Sequence, residues 1–191
     1  EWAQNKLANC YYYGDGVEQD EAKAVEYFTK SAEAGNKNSM NRLGDCYNYG
    51  RGVEQDYQQA INWYQQAALA GHHIAKYNLG NCYYNGNGVE QDYQQAINWY
   101  QQAAEQNIEG AMNKLGECYQ YGYGVEQDYQ QAINWYQKAA EKGNGWAQDM
   151  LGSFYEYGKG VDKDVNLALS WYQKAADNGN KHARTRLSRL A

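Results

Sequence analysis

The pentapeptide Gly-Val-Glu-Gln-Asp begins at Gly16, Gly52, Gly88 and Gly124, and the related Gly-Val-Asp-Lys-Asp begins at Gly160. Successive copies are 36 residues apart. A fixed period of this size is typical of repeat proteins, in which each unit buries its apolar face only against the neighbouring units. The sequence therefore predicts a repeat array, and the function expected of such an array is binding along an extended surface.

The composition narrows the class of protein further. Hydrophobic residues make up 43% of the 191 residues, which argues against disorder, and no apolar run approaches the roughly 18–20 residues needed to cross a bilayer. We therefore predict one soluble domain, residues 1–191, without membrane insertion. The net charge of −6 argues against nucleic acid as a partner. The basic residues near the end are interpreted as the cationic C-terminal turn of a helix; they are Lys181, Arg184, Arg186 and Arg189.

Each unit opens with a segment that has the periodicity of an amphipathic helix, here called helix A. In the second unit Ser39, Leu43, Cys46 and Tyr47 fall at i, i+4, i+7 and i+8. A glycine lies inside this helix in four units, where it costs about 1 kcal/mol relative to alanine. We expect close approach of a partner helix to compensate for that cost. The four glycines are Gly44, Gly80, Gly116 and Gly152.

A turn with two glycines leads from helix A into a second helix, here called helix B. In the second unit Asp56 is predicted to cap the N-terminus of helix B, with Gln59 at the capping-box spacing. Gly71 stands where a left-handed residue would end helix B, and Asn107 replaces it in the third unit. These signals predict an all-α fold: a right-handed α-solenoid of five antiparallel helix pairs plus a C-terminal capping helix. The predicted repeats are 2–37, 38–73, 74–109, 110–145 and 146–180, and the capping helix is 181–191.

The four cysteines occupy one position of the repeat. Cys10, Cys46, Cys82 and Cys118 are 36 residues apart, and Phe154 takes the same position in the fifth unit. Equivalent positions of stacked helix pairs lie roughly 9–10 Å apart, which exceeds the reach of a disulfide. We therefore interpret the cysteines as core residues, and their unpaired thiols favour a reducing, cytoplasmic compartment.

The sequence offers no set of residues with the pattern of a catalytic or metal site. His72 and His73 are adjacent and point to different faces of a helix, and His182 has no ligand spacing to either. The Asn85–Gly88 turn resembles a calcium loop only in part, because the downstream bidentate glutamate is absent. We expect no catalytic activity, no cofactor and no metal ion.

The repeat resembles the Sel1-like repeat family, a branch of the tetratricopeptide-type solenoids, and the resemblance covers essentially the whole chain. Tyr27-Phe28 in the first unit and Asn107 in the third are mild departures from the family pattern. The disulfide-bridged, cysteine-rich branch of the family does not apply, because helix B contains no cysteine. The match in the third unit comprises Ala75, Leu79, Gly80, Tyr83, Gly86, Gly88, Val89, Asp92, Ala96, Trp99, Tyr100, Ala103 and Ala104.

The resemblance implies an adaptor or scaffold, or an inhibitor of a toxic effector, in which the A helices line a concave groove that binds a protein or peptide. A monomer is favoured. The groove residues carried over from the family are Trp2, Asn5, Asn9, Tyr12, Tyr13, Asn41, Asp45, Asn48, Tyr49, Tyr77, Asn81, Tyr84, Asn113, Glu117, Gln120, Tyr121, Trp146, Asp149, Glu156 and Tyr157.

The pattern of divergence between units points to the same helix. Residues 52–68 and 88–104 are identical over 17 positions, whereas residues 39–50 and 75–86 of helix A agree at only 5 of 12. This difference indicates that helix A meets a ligand and helix B meets solvent, although random drift is an alternative. Because Asp45, Glu117, Asp149 and Glu156 lie among the groove residues, we expect a basic or neutral polypeptide segment as the partner. Glycan binding by the groove Tyr, Trp, Asn and Asp side chains is the alternative function.

Overall fold

The computed structural model describes residues 2–190, which form eleven α-helices and no strand. Odd-numbered helices up to α9 are the A helices, even-numbered helices are the B helices, and α11 follows the last pair. The all-α fold of five helix pairs plus a final helix is thus confirmed. The helices are α1 (Trp2–Tyr13), α2 (Glu21–Glu33), α3 (Lys37–Tyr49), α4 (Tyr57–Leu69), α5 (His73–Asn85), α6 (Tyr93–Ala104), α7 (Glu109–Tyr121), α8 (Tyr129–Ala140), α9 (Gly145–Tyr157), α10 (Val165–Asp177) and α11 (Lys181–Leu190).

The described residues pack as two compact units, 2–99 and 100–190, and the division falls within α6. In the first unit extensive contacts join α1 to α2, α2 to α3, α3 to α4 and α4 to α5. In the second unit they join α7 to α8, α8 to α9, α9 to α10 and α10 to α11. Each unit therefore builds its core by stacking consecutive helices, as expected of a repeat.

The repeated pentapeptide forms the turn between helix A and helix B. In the second repeat Gln55 donates from Nε2 to the Asn48 carbonyl oxygen at the end of helix A, at 2.7 Å. The Asp56 carboxylate accepts the backbone N–H groups of Gln58 and Gln59, so the predicted N-cap is confirmed. A Cβ on Gly52 would overlap the backbone of Glu21 at the start of the preceding helix B. The pentapeptide thus joins two helices and also contacts the previous repeat.

The mid-helix glycines are explained by contact with an aromatic ring. A Cβ on Gly116 would overlap the ring of Tyr136, which is fully buried in α8. Only a glycine lets the A helix and this ring approach so closely, which confirms the expected compensation for the poor helix propensity of glycine. The same overlap occurs at Gly44 with Tyr64 and at Gly152 with Tyr172.

Small and medium apolar side chains fill the core together with one buried aromatic ring from each helix B, namely Phe28, Tyr64, Tyr100, Tyr136 and Tyr172. Leu43, Leu79, Leu115 and Leu151 are fully buried, as are most of the paired alanines of helix B. The helical period predicts core positions for the tryptophans of helix B and for one tyrosine of each helix A, but these residues are half-buried. These residues are Tyr47, Tyr83, Tyr119, Tyr155, Trp63, Trp99, Trp135 and Trp171. Trp63, Trp99, Tyr47 and Tyr155 pack against a core cluster.

Helix ends follow the predicted turn chemistry. The residue that ends each B helix has a left-handed backbone; Asn107, with φ of 64°, is the one non-glycine residue of positive φ in the described chain. The N-terminal caps of the A helices were not predicted. Asn36 and Asn144 accept backbone N–H groups there, and Asn180 does so at the start of α11, each directly after the terminal glycine. The Gly-Asn pair is a signal in the sequence that would have located them.

We expect the substitution Gly116→Ala to lower the free energy of unfolding by about 1–3 kcal/mol, because the added methyl group overlaps the Tyr136 ring. Helix propensity alone predicts the opposite sign, a gain of about 1 kcal/mol. Urea denaturation followed by circular dichroism measures the change. The matched control is Ala8→Gly in the first repeat, which should also destabilise, and an unfolding midpoint raised by Gly116→Ala would contradict the packing interpretation.

Candidate functional site

The exposed side of the A helices carries aromatic rings at two repeated positions. The exposed side chains of α1, α3 and α5 are called the A face of the first unit, and those of α7 and α9 the A face of the second. In the first unit, Tyr13 and Tyr49 are 52% and 63% exposed at the ends of α1 and α3. Trp2 and Ile74, near the starts of α1 and α5, are exposed as well. Large apolar surface is therefore concentrated where binding was predicted.

Amide side chains surround these rings in the first unit. One depression of about 220 Å³ is lined by amides and tyrosines from α3, α4 and α5 and from the turn after α5. A second depression, of about 310 Å³, adjoins α1, α3 and the start of α5. The first is lined by Asn48, Tyr49, Tyr64, Asn78, Asn81, Cys82, Asn85 and Asn87, and the second by Asn5, Asn9, Asn38, Asn41, Arg42, Asp45, His72 and Ile74.

Asp45 is a structural centre of this face and has several partners within the protein. Its Oδ1 accepts hydrogen bonds from the Tyr64 hydroxyl at 2.9 Å and from Asn78 Nδ2 at 3.3 Å. Arg42 NH1 lies 3.7 Å from its Oδ2. Burial raises the pKa of Asp45, against the opposing effect of the Tyr64 hydrogen bond and of Arg42. The carboxylate links α3 to α4 and α5.

The A face of the second unit also carries exposed aromatic rings. Tyr121, Trp146 and Tyr157 are 55%, 41% and 54% exposed. The Trp146 ring packs edge-on against Tyr136, with 5.4 Å between the ring centroids. Glu117, one helical turn before Tyr121, accepts from Lys114 Nζ at 2.7 Å.

Helix α11 covers the two remaining acidic residues of the predicted groove. Arg186 Nε lies 3.5 Å from Oδ1 of the buried Asp149, and Arg186 NH1 donates to the Tyr172 hydroxyl at 2.8 Å. That hydroxyl donates to Glu156 at 2.6 Å, and Arg189 forms an ion pair with the same carboxylate. Burial raises the pKa of Asp149, an effect that the nearby Arg186 opposes.

The structure divides the predicted groove residues into three groups by exposure. Trp2, Tyr13, Tyr49, Tyr121, Trp146 and Tyr157 are exposed. Half-buried residues with part of their surface accessible are Asn5, Asn9, Asp45, Asn48, Tyr77, Asn81, Tyr84, Asn113, Glu117 and Gln120. The buried residues, which offer almost no surface to a partner, are Tyr12, Asn41, Asp149 and Glu156.

The predicted set omitted the cations that stack on the exposed rings. The Arg42 guanidinium lies over the Tyr13 ring at 5.9 Å, that of Arg51 over Tyr49 at 5.3 Å, and Lys6 Nζ over Trp2 at 5.2 Å. The Lys6 and Trp2 pair has the i, i+4 spacing of one helix face and could have been found in the sequence. The contact from Arg42 to Tyr13 joins two repeats and has no local signal.

Three of the four cysteines are core residues, as predicted, whereas Cys10 is half-buried. All four are free, and Cys46, Cys82 and Cys118 are buried. Burial raises the pKa of each of these three thiols to about 12, so they are protonated and poorly nucleophilic. Among residues 2–190 no three His, Cys, Asp or Glu side chains cluster closely enough to hold a metal ion.

Comparison with known proteins identifies the repeat. The Sel1 repeat model matches residues 3–36, 37–72, 73–108, 110–144 and 147–180. The chain belongs to the Sel1 repeat family. The predicted resemblance is confirmed. No curated protein sequence matches the chain.

Solved Sel1 repeat structures share the fold. A Sel1 repeat protein from Oxalobacter formigenes is 36% identical with a TM-score of 0.93, covering 99% of this chain and 77% of that one. The protective antigen c5321 of uropathogenic Escherichia coli is 36% identical with a TM-score of 0.89; the match covers 99% of this chain but 40% of the antigen. The immunity protein Pa5087 of Pseudomonas aeruginosa is 27% identical with a TM-score of 0.63, over 95% of this chain and 67% of Pa5087.

Sel1 repeat proteins are generally protein-interaction scaffolds without catalytic activity. This general role agrees with the aromatic and amide surface of the A helices. Within residues 2–190 no helix combines the length and the apolar character needed to span a bilayer.

One Sel1 repeat has a titratable cap at the edge of the A face. His72 caps α5, and its Nδ1 accepts the Ala75 N–H at 3.2 Å. Burial, with smaller effects from Lys37, His73 and Arg42, lowers the pKa of His72 to about 4. The folded state therefore favours the neutral ring, which alone can accept this hydrogen bond.

We expect the free energy of unfolding to fall by about 1–2 kcal/mol as the pH is lowered from about 6.5 to about 4, because the unfolded chain binds the His72 proton more readily. Urea unfolding at several pH values measures this slope. The variant His72→Asn keeps an N-cap, as Asn36 does in the second repeat, and should lose this part of the slope. An identical slope in both proteins would exclude His72 as its source.

Proposed function

We propose that this Sel1 repeat protein is a non-catalytic scaffold or adaptor that binds a polypeptide segment of a partner protein along its A helices. The observation that carries the proposal is the exposed tyrosine at one repeat position in four of the five A helices. These tyrosines are Tyr13, Tyr49, Tyr121 and Tyr157. In the third repeat the equivalent residue is the exposed Asn85.

The chemistry of this surface suits a polypeptide chain. A tyrosine offers a flat, rigid area with little conformational entropy to lose, and such residues are frequent in the centres of protein interfaces. The neighbouring asparagines provide both donors and acceptors, so they can pair with the backbone of an extended segment. Helices α4 and α6 instead present glutamines, and the segments that contain them, residues 52–68 and 88–104, are identical.

The likeness to known structures supports two finer points of the proposal. First, we propose that the segment binds along the A helices within a single unit, in the groove that the family resemblance implies. Second, the similarity to the immunity protein Pa5087, at 27% identity, supports a role in which the bound partner is a toxic effector that the Sel1 repeat protein inhibits.

The paired replacements Tyr13→Ala with Tyr49→Ala, and Tyr121→Ala with Tyr157→Ala, test the surface of each unit in turn. We expect each pair to leave helicity unchanged, because these side chains are more than half exposed. Each pair should weaken partner binding about tenfold or more, since interface tyrosines commonly contribute above 1 kcal/mol each. Affinity capture from lysate of the source cell, with quantitative mass spectrometry, compares the variants with the original protein.

The matched control is Gln58→Ala with Gln66→Ala, two exposed positions on helix α4. We expect this pair to capture the same partner as the original protein. A partner lost equally with the α4 control, or retained by both tyrosine pairs, would contradict binding along the A helices.

Glycan binding is a second candidate, favoured by the amide-lined depression of about 220 Å³ beside Tyr49. Asparagine amides and a tyrosine ring can hydrogen-bond and stack on a sugar. Saccharide titrations monitored by tryptophan emission, which reports on the exposed Trp2 and Trp146, separate the two functions. Saturable saccharide binding in the absence of any captured protein would favour the glycan function.

A further inference from the structure

The acidic residues predicted to attract a basic partner are already paired within the protein. Asp45 has Arg42, Tyr64 and Asn78 as partners, and Glu117 has Lys114. Asp149 and Glu156 are buried beneath Arg186 and Arg189 of α11. These carboxylates therefore stabilise the repeat itself, and the reason for expecting a basic partner is removed.

The A helices of the first unit are cationic although the whole chain is acidic. Helices α1, α3 and α5 contain Lys6, Lys37, Arg42 and Lys76 but only one acidic residue, Asp45. Every other acidic residue from 2 to 99 lies in α2 or in a turn between an A helix and a B helix. The net charge of −6 thus conceals a separation of charge between the A helices and the rest of the first unit.

Arg42 of α3 and Arg51 of the turn after α3 meet the exposed tyrosines in one cluster. Arg51 NH1 donates to the Tyr12 hydroxyl at 2.6 Å, and its guanidinium lies over the Tyr49 ring. The Tyr12 ring packs edge-on against Tyr13 at 4.9 Å, and Arg42 covers the Tyr13 ring. We call these five residues the arginine–tyrosine cluster. Among residues 2–190 no carboxylate lies within salt-bridge distance of Arg51, and Arg42 has only the 3.7 Å contact with Asp45.

We propose that the arginine–tyrosine cluster of the first unit binds an acidic polypeptide segment, so that the partner offers Asp or Glu side chains to Arg42 and Arg51. This inference rests on the proposed function and specifies the chemistry of the partner. Guanidinium groups stacked on aromatic rings are held in position, and their remaining N–H groups can form paired hydrogen bonds with a carboxylate. The rings of Tyr13 and Tyr49 provide the apolar contact beside these charges.

Selection from a random dodecapeptide library displayed on phage, with the whole protein as target, tests the inference. We expect the enriched peptides to be rich in Asp and Glu. Synthetic copies of the most enriched peptides are then measured by fluorescence anisotropy. Replacing Arg42 and Arg51 by Gln should raise Kd about fivefold or more, because two charge contacts are lost.

The matched control is Lys23→Gln with Lys30→Gln on helix α2. These lysines also stack on tyrosines, Tyr11 and Tyr27, and the charge change is the same. Their replacement should change Kd less than twofold. An equal loss in the control would show that overall charge, and not the cluster, determines binding, and would overturn the inference.

The remaining outcomes separate this inference from the proposed function. If the enriched peptides are neutral or basic and their binding is lost when Tyr13 and Tyr49 are replaced by Ala, the acidic preference is overturned. The proposed function then still stands. If no peptide is enriched, or if the enriched peptides bind equally well without those tyrosines, the result contradicts both this inference and the proposed function. If the arginine variant loses helicity, the salt dependence of the original protein decides instead: Kd must rise about fivefold between 50 and 300 mM NaCl, and a constant Kd would overturn the inference.

Discussion

The contact between a glycine of helix A and an aromatic ring of helix B determines how each repeat is built. Because the side chain of Gly44, Gly116 and Gly152 is a single hydrogen atom, the backbone of helix A packs directly against a buried tyrosine ring. The tyrosine hydroxyl also needs a hydrogen-bond acceptor. A polar residue of helix A, such as Asp45 or Gln120, accepts that hydrogen bond. In the first repeat Phe28 has no hydroxyl, Ala8 replaces the glycine, and Tyr12 takes the position of Gln120. The packing and the polar partner thus vary together from repeat to repeat.

Most of the fold could be predicted because its signals are local and are repeated five times. The Asp caps, the left-handed Gly or Asn ends and the two helical periods all lie within one 36-residue unit, so each repeat confirms the others. Local patterns did not determine how deeply each aromatic side chain is buried. Trp63 and Tyr47 have the spacing of core residues, but half-burial depends on where the next repeat packs.

The candidate site was less predictable because its charges are paired across repeats. Periodicity placed Asp149 and Glu156 correctly on helix A, but their partners Arg186 and Arg189 lie more than thirty residues away on α11. In the same way Arg51 reaches Tyr12, 39 residues earlier in the chain. A side chain that is assigned to a ligand surface from its helix position alone can therefore be paired with a residue of the following repeat. The exposed tyrosines were predictable, since solvent exposure at the end of a helix depends little on distant partners.

The separation of charge in the first unit shows how a repeat fold can carry a binding preference without altering its core. The last acidic residue of each turn caps the B helix that follows, as Asp20 and Asp56 do. These capping residues therefore set much of the net charge of the chain whatever its partner is. The exposed positions of the A helices have no such capping role, so their charge is free to change between repeats. The net charge of a repeat protein consequently reports on its turns, whereas the charge of one helix face is the better guide to what that face can bind.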